Sequence, residues 1–112
     1  MGATNFGTTS RGKNAAGAFV QAQEEARYEY GNRGYTGTVA EKETFKMLRP
    51  PASVKTRSEI MEWAEKLIDD ESGPGWLNDK WGPAGCVELP DIKIKGRANP
   101  EREFLFFGWA SC

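Results

Sequence analysis

The stretch from Thr56 to Pro74 constrains the fold of this chain more than any other. Thr56-Arg57-Ser58-Glu59 has the form of a capping box, in which the Thr and Glu side chains satisfy free backbone N–H groups at each other's positions. Ile60, Trp63, Ala64, Leu67 and Ile68 follow at helical spacing and form one apolar stripe. Gly73-Pro74 stops the helix. Such a stripe has to be buried against another layer, and the flanking sequence supplies strands.

A second helix precedes it. Asn14 is placed as an N-cap, and Ala15, Ala18, Phe19, Ala22, Ala26 and Tyr30 line one face. Alanine dominates that stripe, so the helix can lie close to a sheet. Gly31 sits at the position of a left-handed stop.

The remaining segments have strand character. Thr4–Thr9 predicts a first strand. Tyr35–Leu48 predicts a second, with Glu41-Lys42-Glu43 in its middle marking an edge strand or two strands joined at a bulge. Arg49-Pro50-Pro51-Ala52-Ser53 can only connect, because neither proline donates a hydrogen bond. In the Gly73–Gly85 loop, Trp76 and Trp81 are the expected anchors, and Met61 and Trp63 are expected in the core. Cys86–Leu89 and Ile92–Lys95 read as strand on either side of a bulge at Pro90-Asp91. Glu103–Trp109, with Phe104, Leu105, Phe106 and Phe107, closes a hairpin and is apolar enough for a central strand. The expectation is a single α+β domain over residues 1–112 in the order β-α-β-α-β-β. It has a mainly antiparallel sheet of about four strands, with two helices packed on one face.

Composition removes several functions. Histidine is absent, which rules out Ser-His-Asp and Cys-His nucleophile pairs and any imidazole metal site. Cys86 and Cys112 are too few for a disulfide scaffold, and Cys86 in its apolar run reads as a small buried hydrophobe. No stretch approaches the roughly 20 apolar residues of a membrane span, and no signal peptide is visible, so the expected location is cytoplasmic. Glu24, Glu25, Glu29, Glu41 and Glu43 have no diagnostic spacing for Mg²⁺, and Arg27, Lys42 and Lys46 lie among them. The reading is therefore a protein without a metal or other cofactor, and not an enzyme.

Charge is unevenly placed. Residues 59–79 carry seven acidic groups and one basic group, whereas residues 1–58 carry nine basic and five acidic. The strongest local field is negative, which favours a basic protein partner and disfavours nucleic acid. Asp69, Asp70 and Glu71 stand at the C-terminus of the second helix, where the helix dipole opposes them. An unfavourable local choice of that kind marks a candidate contact, against the alternative of an ordinary solvated helix end. The other candidate is the corner Tyr28-Glu29-Tyr30-Gly31-Asn32-Arg33-Gly34-Tyr35-Thr36-Gly37-Thr38, dense in tyrosine and glycine. Tyr28, Tyr30, Asn32, Arg33, Tyr35 and Thr36 are its candidate partner- or ligand-binding residues, against the alternative of a tightly packed turn.

Several of these segments resemble a group of small uncharacterised proteins common in bacteriophage genomes. The resemblance lies in Gly2-Ala3-Thr4-Asn5-Phe6, Glu29-Tyr30-Gly31 and Gly34-Tyr35-Thr36-Gly37-Thr38-Val39-Ala40-Glu41-Lys42. It continues in Lys80-Trp81-Gly82-Pro83-Ala84-Gly85-Cys86 and Phe106-Phe107-Gly108-Trp109-Ala110. It implies a phage accessory protein that acts by protein–protein interaction, inhibiting a host defence system by binding a host protein in the host cytoplasm. The alternative from the residues themselves is a small-molecule or nucleotide pocket at the tyrosine–glycine corner.

Overall fold

Strand β4 (Arg102–Ser111) forms the centre of a four-stranded sheet. Along Phe104-Leu105-Phe106-Phe107 both alternation phases are apolar, and all four side chains are buried. Neither face of such a strand can be left to water. The computed structural model describes residues 3–30, 37–70, 73–90 and 102–111 of the chain.

The sheet order is β1-β4-β3-β2. Strand β1 (Ala3–Gly12) and strand β3 (Ala84–Leu89) flank β4 antiparallel, and β2 (Phe45–Met47) pairs parallel to β3. The architecture is α+β with a mainly antiparallel sheet, in the expected element order.

The helices lie on opposite faces, which corrects the expectation of two helices on one face. Helix α1 (Ala15–Tyr30) buries Ala18, Phe19, Ala22 and Ala26 against Ala84, Cys86, Phe104 and Phe106. Helix α2 (Arg57–Asp69) buries Ile60, Ala64 and Ile68 against Val87, Leu89, Leu105 and Phe107. Adjacent residues of β3 and β4 therefore point into different cores, and each core needs its own helix.

Local signals set the helix starts. Asn14 Oδ1 accepts from the Gly17 N–H at 2.8 Å. Thr56 and Glu59 form both halves of the capping box. In the first core Phe19, Phe45 and Phe106 pack as three mutually tilted rings, with centroids 5.1–5.7 Å apart. Aromatic pairs at that spacing contribute about 0.5–1.5 kcal/mol each beyond area burial.

Two stretches differ from expectation. Among the described residues of Tyr35–Leu48, only Phe45–Met47 is strand. Thr38 instead caps a 3₁₀ turn at Val39–Glu41, and the Lys42 carbonyl accepts from Gln23 of α1 at 2.5 Å. In the Gly73–Gly85 loop Trp76 is partly buried against the second core, but Trp81 is 66% exposed. The deeper anchor is Leu77, fully buried in the 3₁₀ turn Gly75–Asn78. Gly85 makes room for it, since a Cβ there would stand 2.9 Å from Leu77 Cδ1. Met61, expected in the core, is exposed, while Trp63 packs edge-on to Phe107 at 6.2 Å. The expected bulge at Pro90-Asp91 and the Ile92–Lys95 strand fall outside the described residues.

Candidate functional site

Among the described residues β1 has a partner on one side only, so a ten-residue strand forms one edge of the sheet. Its sequence, Ala-Thr-Asn-Phe-Gly-Thr-Thr-Ser-Arg-Gly, carries no proline and no charge before Arg11. Charged side chains and proline are the usual devices that protect an edge from pairing with another chain.

Three cavities border this edge. On the α2 side a groove of about 470 Å³ runs between Asn5, Gly7 and Thr9 of β1 and Met61, Glu65 and Asp69 of α2. On the α1 side a groove of about 300 Å³ lies between Phe6 and Thr8 of β1, Glu25 and Glu29 of α1, and Gly37 and Val39. A third, of about 460 Å³, is lined by Ser10, Arg11, Gln21, Glu25 and Glu103. Helix α1 packs against part of β1, with Phe6 against the first core, and the grooves open beside it.

The first two grooves share a chemistry: apolar residues in the lining, carboxylates on the helix side and no basic side chain. Glu65 and Asp69 are exposed, as are Glu25 and Glu29. The third is mixed, because Arg11 approaches Glu103 at 4.0 Å and Arg57 forms an ion pair with the same carboxylate. Glu103 thereby ties β4 to β1 and to the start of α2. Ser10 Oγ is buried and makes no hydrogen bond among the described residues.

The expected site residues are dispersed. Asp69 lines the larger groove and Asp70 is exposed beside it, at the helix end. Tyr28 is 92% exposed on the outer side of α1. Asn32, Arg33, Tyr35, Thr36 and Glu71 lie outside the described residues, as does the side chain of Tyr30. The described end of the corner has the unusual backbone its glycines suggested. Gly37 is buried at φ 71° and lines the smaller groove.

Lys42, by its sequence position a neutralising charge among the carboxylates, has a different role in the structure. Its ammonium is buried and donates to the carbonyl oxygens of Gly82 at 2.8 Å and of Asp79 and Lys80 at 3.2 Å. Burial pushes its pKa below the usual lysine value, and the Asp79 carboxylate partly opposes that. All three ammonium hydrogens have acceptors, so this lysine fastens the Trp81 loop to the body. The only sequence signal for it was a lysine inside a stretch otherwise read as strand.

The Cys86 thiol is buried and pushed up to about 12 by desolvation and by nearby Glu88. It behaves as a small apolar residue, as its strand context suggested. Among the described residues no three acidic or cysteine side chains converge as a metal site, and no helix is long and apolar enough to cross a membrane.

Comparison with known proteins yields no matching family model, no matching curated protein and no matching solved structure.

Proposed function

We propose that this protein is a phage-type accessory protein that works by binding a host protein and so inhibits a host defence system. The observation that supports this reading is the open β1 edge, flanked on both sheet faces by grooves with carboxylate rims. Surfaces of this kind recognise a partner by shape and charge without needing convergent catalytic groups. The phage context rests on the resemblance of the corner and loop segments, and the acidic α2 supplies the sign of the expected partner, which is basic.

Affinity purification of the tagged protein from co-expressing bacterial cells, followed by mass spectrometry, tests the reading. A host protein should be retained by the wild type and lost with the triple variant Glu65→Gln, Asp69→Asn, Asp70→Asn. Equal recovery with both proteins would refute an acidic binding face.

The alternative, a small-molecule pocket at the tyrosine–glycine corner, draws on one observation: Gly37, with its left-handed backbone, lines the 300 Å³ groove. Glu25 and Glu29 on the same groove repel phosphate, so an amine suits it better than a nucleotide. Titration with polyamines and nucleotides, followed by thermal shift, separates the two ligand classes.

A further inference from the structure

We infer that the partner is captured as an extended, basic segment that adds a fifth strand to the sheet alongside β1; this rests on the protein-binding reading above. Main-chain hydrogen bonds to a sheet edge supply affinity in this mode, and pockets for alternate side chains supply specificity. The structure has both elements in register. The 470 Å³ and 300 Å³ grooves flank the same stretch of β1, Asn5–Thr8, one on each face of the sheet. Successive side chains of an added strand point to opposite faces, so they would enter the α1-side and α2-side grooves in turn.

The grooves also select the occupant. Each has apolar residues in its lining, Ala22 and Val39 in one and Ala64 and Ile68 in the other. Each bears two carboxylates on its helix wall, Glu25 and Glu29 or Glu65 and Asp69. A strand in which pairs of lysine or arginine alternate with pairs of β-branched residues sends both kinds of side chain into each groove and meets both demands, because long basic side chains lay their stems on apolar surface and carry the charge to the rim. A second copy of this chain fits poorly. Pairing β1 with β1 would bring the acidic rims of two molecules together, and β1 itself carries only Arg11 as a basic residue. Ser10 is a further pointer. Its buried Oγ lacks a partner among the described residues and lines the third cavity, at the continuation of the same edge.

Gly7 allows a direct test. A Cβ at this position would meet nothing within 4 Å, so Gly7→Trp fills the groove without disturbing the core. The probe is a synthetic peptide of about ten residues in which pairs of lysines alternate with valine–threonine pairs, and its control has glutamate in place of lysine. Binding to the full-length protein is followed by calorimetry and by hydrogen exchange resolved to single amides.

The lysine peptide should bind and protect those β1 amides that do not bond to β4, while the glutamate peptide binds at least about tenfold more weakly. Gly7→Trp should abolish binding without lowering the melting temperature. Glu65→Gln with Asp69→Asn should weaken binding and its salt dependence together. Binding without new protection in β1, or unaffected by Gly7→Trp, would overturn edge addition while leaving the acidic binding face intact. Absence of peptide binding, or a dimer that Gly7→Trp converts to a monomer, would also overturn it. If the host protein is still captured by the Gly7→Trp variant, only the strand-addition mode fails, not the protein-binding function.

Discussion

Strands β1 and β4 have the same length and run side by side through ten paired positions. Facing Phe106, Leu105 and Phe104 across that ladder stand Thr8, Thr9 and Ser10. The β4 residues are sealed beneath a helix on each face, and the β1 residues border open grooves. Backbone pairing alone therefore does not decide which strand is core. Side-chain volume does, because a phenylalanine recruits cover from a helix and a threonine or glycine does not. Burial is concentrated in the centre of the sheet, and the open grooves lie at its edge.

The sharpest way to break that contrast is a large truncation in β4. Phe106→Ala removes one ring of the Phe19–Phe45–Phe106 cluster and should cost about 3–5 kcal/mol, enough to unfold much of a domain of this size. Thr8→Ala, directly opposite on β1, should cost less than about 1 kcal/mol. Comparable losses in urea melts would mean that the edge strand carries as much of the core as the centre.

Lys42→Met comes next. It leaves three carbonyl oxygens without their donor and should destabilise by about 1–3 kcal/mol. Because the effect concerns the 79–82 loop, hydrogen exchange should rise there before it rises in β4. Uniform loosening of the whole chain would argue against a local fastening role.

Gly37→Ala forces a side chain into the left-handed region and should cost about 1–2 kcal/mol. Gly7→Val should act in the opposite sense. An ordinary strand backbone with open space beside it predicts a gain of about 0.5–1 kcal/mol. A melting temperature that falls in Gly7→Val would show the groove floor to be tighter than its geometry indicates.

The smallest effect is electrostatic. Arg102 bonds the Glu88 carboxylate through Nε at 2.7 Å and Nη2 at 2.6 Å, and this bonding holds the Glu88 pKa below its ordinary 4.5. A carboxyl depressed in the folded state stabilises above its unfolded value, and that contribution disappears as pH falls through the folded one. Melting temperature should therefore decline slightly more steeply below pH 4.5 in the wild type than in Glu88→Gln, and salt should erase the difference. Identical slopes at low ionic strength would count against the pair.

Much of this fold was legible in local chemistry. The capping box at Thr56, the Asn14 cap, the alanine stripe of α1 and the apolar run in β4 act over a few residues, so a linear reading detects them. The acidic end of α2 was legible too, and Asp69 lies on a groove wall. The opposite placement of the helices could have been read from Phe104-Leu105-Phe106-Phe107, since both phases of that strand are apolar. What no local pattern carried was the neighbour of each element. Only tertiary packing decided that β1 would be an edge among the described residues, that grooves would open on both of its faces, and that Glu25 and Glu65 from separate helices would line them. The same holds for Lys42, whose ammonium meets carbonyls some 40 residues further along the chain. Hydrophobic periodicity specifies which side of an element is buried; it does not specify against what, and sites formed by residues distant in sequence depend on that second choice.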